Sequence, residues 1–126
     1  MQKQLEQYFG CKVKIAEYKN KLQLPIFMTM RDILMVEIYG VNFAIIDVVK
    51  ETELSVAAMK KQKAKYEEAL QCPVAYEVAI NNVSMRNALV KSGVPFVNLP
   101  GNVFLPFMGI VLQDVYRKQL VKADKM

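Results

Sequence analysis

The stretch that decides the fold is Ile33 to Val49, ILMVEIYGVNFAIIDVV, in which two runs rich in Ile, Val, Phe and Tyr flank a single glycine. Residues of these types suit a pleated, half-buried surface, and Gly40 stands where a tight reversal needs a backbone that tolerates positive φ. The spacing predicts a hairpin with arms Ile33 to Tyr39 and Asn42 to Val49. The second arm, NFAIIDVV, is apolar at nearly every position. It is therefore expected to be covered on both faces and central in its sheet.

Working outward toward the N-terminus, Lys12 to Tyr18 alternates polar and apolar residues with the period of a strand whose lysines face water. Ahead of it, Gln2 to Phe9 reads as a short amphipathic helix with Leu5, Tyr8 and Phe9 on one face, ended by Gly10. Lys19 to Gln23 is polar. Leu24-Pro25 opens a segment expected to run extended through Met30, with the proline confining it to an edge or a strand start.

Toward the C-terminus, Thr52 or Ser55 is placed to cap a helix that runs to about Gln71, where Cys72-Pro73 stops it. Val56, Met59, Tyr66 and Leu70 fall in one arc of that helix, with Lys60, Lys61 and Lys65 on the far side. Pro73 to Ala79 is a strand, and Asn81-Asn82 the loop after it. Ser84 is expected to cap the next helix, with Val83 packing on Ala88 as a staple, and Gly93 ends it. A strand VPFV, a turn LPGN and a longer strand from Val103 to Leu112 follow. The predicted order, α-β-β-β-α-β-α-β-β, combines a hairpin with two strand-helix-strand crossovers. It specifies an α/β (α+β) fold with a mixed sheet and flanking helices.

The chain has 126 residues, the size of one domain, with 53% hydrophobic and 23% charged residues, which excludes a disordered chain. No apolar run approaches the ~20 residues of a membrane span, and the N-terminus lacks the apolar centre of a secretory signal. No membrane contact and a cytoplasmic location are expected. Cys11 and Cys72 read as free thiols in a domain with an adequate core. Histidine is absent, which removes serine–histidine and cysteine–histidine catalysis and the usual zinc sites. The net charge of +5 favours polyanions. The lysines of the central helix are nevertheless interleaved with glutamates and read as a solvated face.

A helix, three strands, a helix and a strand is also the core order of metal-dependent nucleases of the restriction-endonuclease type. Such enzymes hold Mg²⁺ with carboxylates at the ends of adjacent strands and place a lysine near the attacking water. The candidates here are Glu37, Asp47 and Lys50. A carboxylate and a lysine two apart on one strand share a face, whereas Asp47 and Lys50 are three apart and face oppositely in a regular strand. No phosphate-binding glycine loop is present, and no cofactor is expected. The methionines at 28, 30, 35 and 108 suit gap filling in the core or an adaptable apolar pocket.

Three runs carry a family resemblance: LPIFMTMRDILMVEIYGVNFAIID, the lysine-bearing helix, and CPVAYEVAINNVSMRNALVKSGVPFVNLPGNVFLPFMGIVL. Together they resemble the N-terminal domain of bacterial MarR-like winged-helix transcriptional regulators, over nearly all of residues 1 to 112. The most specific part is Gly93-Val94-Pro95-Phe96-Val97, then Pro100-Gly101, then Leu105-Pro106-Phe107-Met108-Gly109. The resemblance implies a restriction-endonuclease-like fold without a working nuclease centre, followed by a DNA-binding winged helix. Residues 1–112 would then be a single α/β domain, and the charged residues 113–126 a linker or helix leading to a DNA-binding domain outside this chain. The expected function is a non-catalytic accessory domain of a bacterial transcriptional regulator, for dimerisation, effector sensing or protein contact. DNA would be reached through the downstream domain. Phe104, Phe107, Met108 and Ile110 are the candidate interaction surface, with a homodimer the first partner considered. The alternative is a nuclease-like domain that binds or cleaves nucleic acid.

Overall fold

The computed structural model describes residues 1–19, 24–51, 54–80, 82–99 and 102–109. Six strands form one mixed sheet: β1 (Val13–Glu17), β2 (Ile33–Ile38), β3 (Val41–Asp47), β4 (Val74–Glu77), β5 (Phe96–Asn98) and β6 (Asn102–Phe104), ordered in space as in sequence. β1, β2 and β3 are antiparallel, β3–β4 and β4–β5 parallel, and β5–β6 antiparallel. Helices α3 (Val56–Leu70) and α4 (Val83–Lys91) carry the two parallel connections; α1 (Gln2–Phe9) precedes β1, and a single turn α2 (Ile26–Thr29) precedes β2.

β3 is central, as its composition requires. Phe43 and Ile45 point to one face, Ala44 and Ile46 to the other, and all four are buried. On the first face they join Leu5 and Phe9 of α1, Val36, Ile38, Val97, Leu105 and Met108. On the second they join Met59 and Tyr66 of α3, Leu89 of α4, Met28 of α2, and Tyr76 and Phe96. The Tyr76 hydroxyl, wholly buried, donates to the Met59 carbonyl oxygen at 2.8 Å and pins α3 to the sheet.

Several expectations hold locally. Gly10 ends α1 at φ 69° with its N–H on the Glu6 carbonyl, Ser55 caps α3 by accepting from the Ala58 N–H, and Gly93 follows α4 at φ 70°. Others differ, each for a physical reason. Leu24 to Met30 is not an extended segment: Pro25, at φ −55°, leads into the turn α2, closed by Met28 N–H to the Pro25 carbonyl at 2.9 Å. Asn82, not Ser84, caps α4, accepting from the Met85 N–H at 2.8 Å. Val83 is 70% exposed and staples nothing. Tyr8 turns its flank to water and leans on the Phe9 ring.

Of the strand expected from Val103 to Leu112, the described residues, through Gly109, pair only as far as Phe104. Pro106, which has no N–H to give a ladder, starts a 3-10 turn over Pro106–Met108. Of the residues expected on its apolar face, Met108 is fully buried, while Phe107, 5.1 Å from the Phe43 ring, and Phe104, 5.8 Å from Phe96, are partly buried. Residues 20–23, Thr52, Asn81, Pro100, Gly101, the strand residues 110–112 (Ile110 among them) and the linker residues 113–126 lie outside the described residues. Among those described, no helix is long and apolar enough to cross a membrane.

Candidate functional site

The strand directions bring four carboxylates to one end of the sheet. Glu17 ends β1, Asp32 directly precedes β2, Asp47 ends β3 and Glu77 ends β4. Asp47 donates its N–H to the Asp32 carbonyl at 3.0 Å, and Asp47 and Glu77 are partners in the parallel ladder. Glu17, Asp32, Asp47 and Glu77 rim a hollow of about 280 Å³ floored by Leu34 and Ile45, side chains of the α1-covered face. The Glu77 carboxyl is raised above its usual range, first by burial and then by the Asp47 charge.

A second hollow, of about 540 Å³, shares Asp32 and Asp47 and adds Met30, Arg31, Lys50 and Glu51. Asp47 and Lys50 thus line one hollow although three residues separate them, because regular alternation ends at Asp47. Beyond it the Asp47 carboxylate accepts from the Val49 N–H at 3.0 Å, Val48 donates to the Glu77 carbonyl, and Glu51 donates to the Val48 carbonyl. Glu37 is not part of this site. It sits at the opposite end of β2, opposite Asn42 beside the hairpin turn, with Lys14 at 3.8 Å. Among the described residues, no three His, Cys, Asp or Glu side chains converge closely enough to hold a metal ion.

No family model matches the chain, and neither the curated proteins nor the solved structures hold a match to it.

Arg31, which sequence reasoning did not single out, is held in the second hollow by hydrogen bonds from all three guanidinium nitrogens. Its Nε and Nη2 donate to the two Glu51 carboxylate oxygens at 2.8 and 2.5 Å, and Nη1 donates to Gln62 Oε1 and, at 3.1 Å, to the Tyr66 hydroxyl. Burial works against its charge, but the hydrogen bonds from Glu51 and Tyr66 more than offset this and raise its pKa above the usual value. Burial likewise pushes up the Tyr66 hydroxyl. The one sequence signal for the carboxylates was positional: an acidic residue at the matching end of four successive apolar runs, AE17, D32-ILMV, IID47 and YE77.

The remaining candidates are structural in placement. Tyr66, Tyr76 and Phe96 are wholly buried, so none offers a face to a base. On α3, Lys60, Lys61 and Lys65 are exposed and Lys63 pairs with Glu67 at 2.9 Å. Cys11 and Cys72 are free and half-buried, and burial, then the charge of Glu67, pushes the Cys72 thiol up, away from the reactive thiolate.

Proposed function

We propose that this chain is a non-catalytic accessory domain of a bacterial transcriptional regulator, built on a restriction-endonuclease-like core and serving effector sensing, dimerisation or protein contact. With the single turn α2 inserted between β1 and β2, the element order from α1 through β4 still supports the core: a helix, three antiparallel strands, a crossover helix and a parallel strand. The regulator role rests on the resemblance of Gly93 to Val97 and Leu105 to Gly109.

One observation supports the non-catalytic part. Glu17, Asp32, Asp47 and Glu77 rim one hollow, yet among the described residues no three His, Cys, Asp or Glu side chains converge closely enough to hold a metal ion. A nuclease of this pattern needs carboxylates that meet on Mg²⁺. Lys50 lines the second hollow with Asp32, Asp47, Arg31 and Glu51.

Incubating the protein with supercoiled plasmid and Mg²⁺ or Mn²⁺ tests this. The expected result is no nicking by the wild type or by Asp47→Ala. Nicking by the wild type that Asp47→Ala abolishes would establish the alternative, a nucleic-acid-cleaving domain. That alternative draws on the shared hollow of Asp47 and Lys50.

A further inference from the structure

The Arg31–Glu51 pair has the geometry of a bound carboxylate. The guanidinium presents Nε and Nη2 side-on, and the Glu51 carboxylate accepts from both, the fork arrangement that planar anions of this shape select. Arg31 is fixed from behind by Gln62 and Tyr66 of α3, and its side chain is only 13% exposed. Glu51 is held differently: its side chain is 37% exposed, and it follows a turn closed by its own N–H on the Val48 carbonyl. The cation is anchored to a helix and its anion hangs from a loop.

We propose that Arg31 is the anion-holding point of a small-molecule site, with Glu51 as its internal competitor, and that the ligand is a monocarboxylate bearing an apolar tail. The inference rests on the sensing role proposed above and gives it a ligand class. A monocarboxylate exchanges for Glu51 one charge for one, whereas a phosphate dianion would add negative charge beside Asp32 and Asp47. The guanidinium keeps its hydrogen bonds to Gln62 and Tyr66 during the exchange, and the released Glu51 turns to water. Lys50 also lines the hollow as a second cation, and the Met30 thioether chain, 82% exposed, offers a flexible apolar contact for the tail. The hollow, about 540 Å³, falls within the usual size of small-ligand sites. Because Glu51 leads straight into the α3 connection, displacing it gives the ligand a lever on the β3–α3 loop.

Calorimetric titration with octanoate tests the site, using methyl octanoate as the neutral control. An internal competitor lowers apparent affinity by the fraction of time it occupies the cation, so Glu51→Gln is expected to bind octanoate at least about tenfold more tightly than the wild type. Arg31→Met is expected to bind none, and none of the three proteins should bind the ester. Equal affinity of wild type and Glu51→Gln, ester binding as strong as that of the acid, or no octanoate binding by Glu51→Gln would each overturn the proposal. The comparison of wild type with Glu51→Gln decides the matter even where Arg31→Met fails to fold. The readout involves neither nucleic acid nor cleavage, so its failure is distinct from failure of the non-catalytic reading.

Discussion

Asp47 and Glu77 end two adjacent parallel strands in register, so their like charges meet over one hollow. Glu77 is raised above its ordinary value of 4.5, by burial first and by Asp47 second, against the opposing pull of the Met1 ammonium. A raised carboxylate binds its proton more tightly in the folded than in the unfolded chain, so it costs stability once both states are ionised. The cost is absent below the unfolded value and develops as pH climbs through the folded one. Glu77→Gln is therefore expected to stabilise the domain at pH 7 by less than about 1 kcal/mol, since the site is partly solvated. Urea unfolding of both proteins between pH 7 and pH 4 should show the gap closing on acidification. A gap independent of pH would refute the assignment.

The hairpin was legible because composition and turn agree; its detail was not. Tyr39 as well as Gly40 has positive φ, 52° and 78°, the two-residue turn that matches strand twist, and nothing in a tyrosine announces this. Its hydroxyl donates to the Phe9 carbonyl at 2.8 Å, so a contact 30 residues away helps hold the unfavoured conformation. The turn α2 was hidden because LPIFM is as apolar as a strand, and Pro25 suits either start. At the site, the sequence points to Asp47 and Lys50 but sets them on opposite faces, because it gives no sign that the regular strand stops at Asp47. Arg31 was invisible because its partners Gln62 and Tyr66 lie 31 and 35 residues away on the helix face that packs over it.

The turn itself gives a stability test. Nothing lies within 4 Å of where a Cβ on Gly40 would sit, so a substitution there meets only backbone strain. Gly40→Ala is expected to cost about 1 kcal/mol, lowering the urea midpoint without changing the slope. An unchanged midpoint would mean the turn relaxes to another type.

The segment Leu105 to Met108 separates two roles for the same residues. In the monomer the Phe107 ring packs at a tilt against Phe43, while Leu105 and Met108 are buried on the face that α1 covers. Phe107→Asp removes the ring contact and sets a carboxylate on apolar surface, so it is expected to destabilise the domain by about 2 kcal/mol or more. Chemical denaturation reads that loss, and light scattering below the transition should give the same mass for variant and wild type. The opposite pair of results, a smaller mass with unchanged stability, would mean that Phe107 faces a second copy, because an interface residue contributes to association while a core residue contributes to folding. Phe43→Ala supplies the second arm. It truncates the other ring from inside β3, where no partner can reach, so an effect of similar size on stability and none on mass places both rings in the monomer's own core.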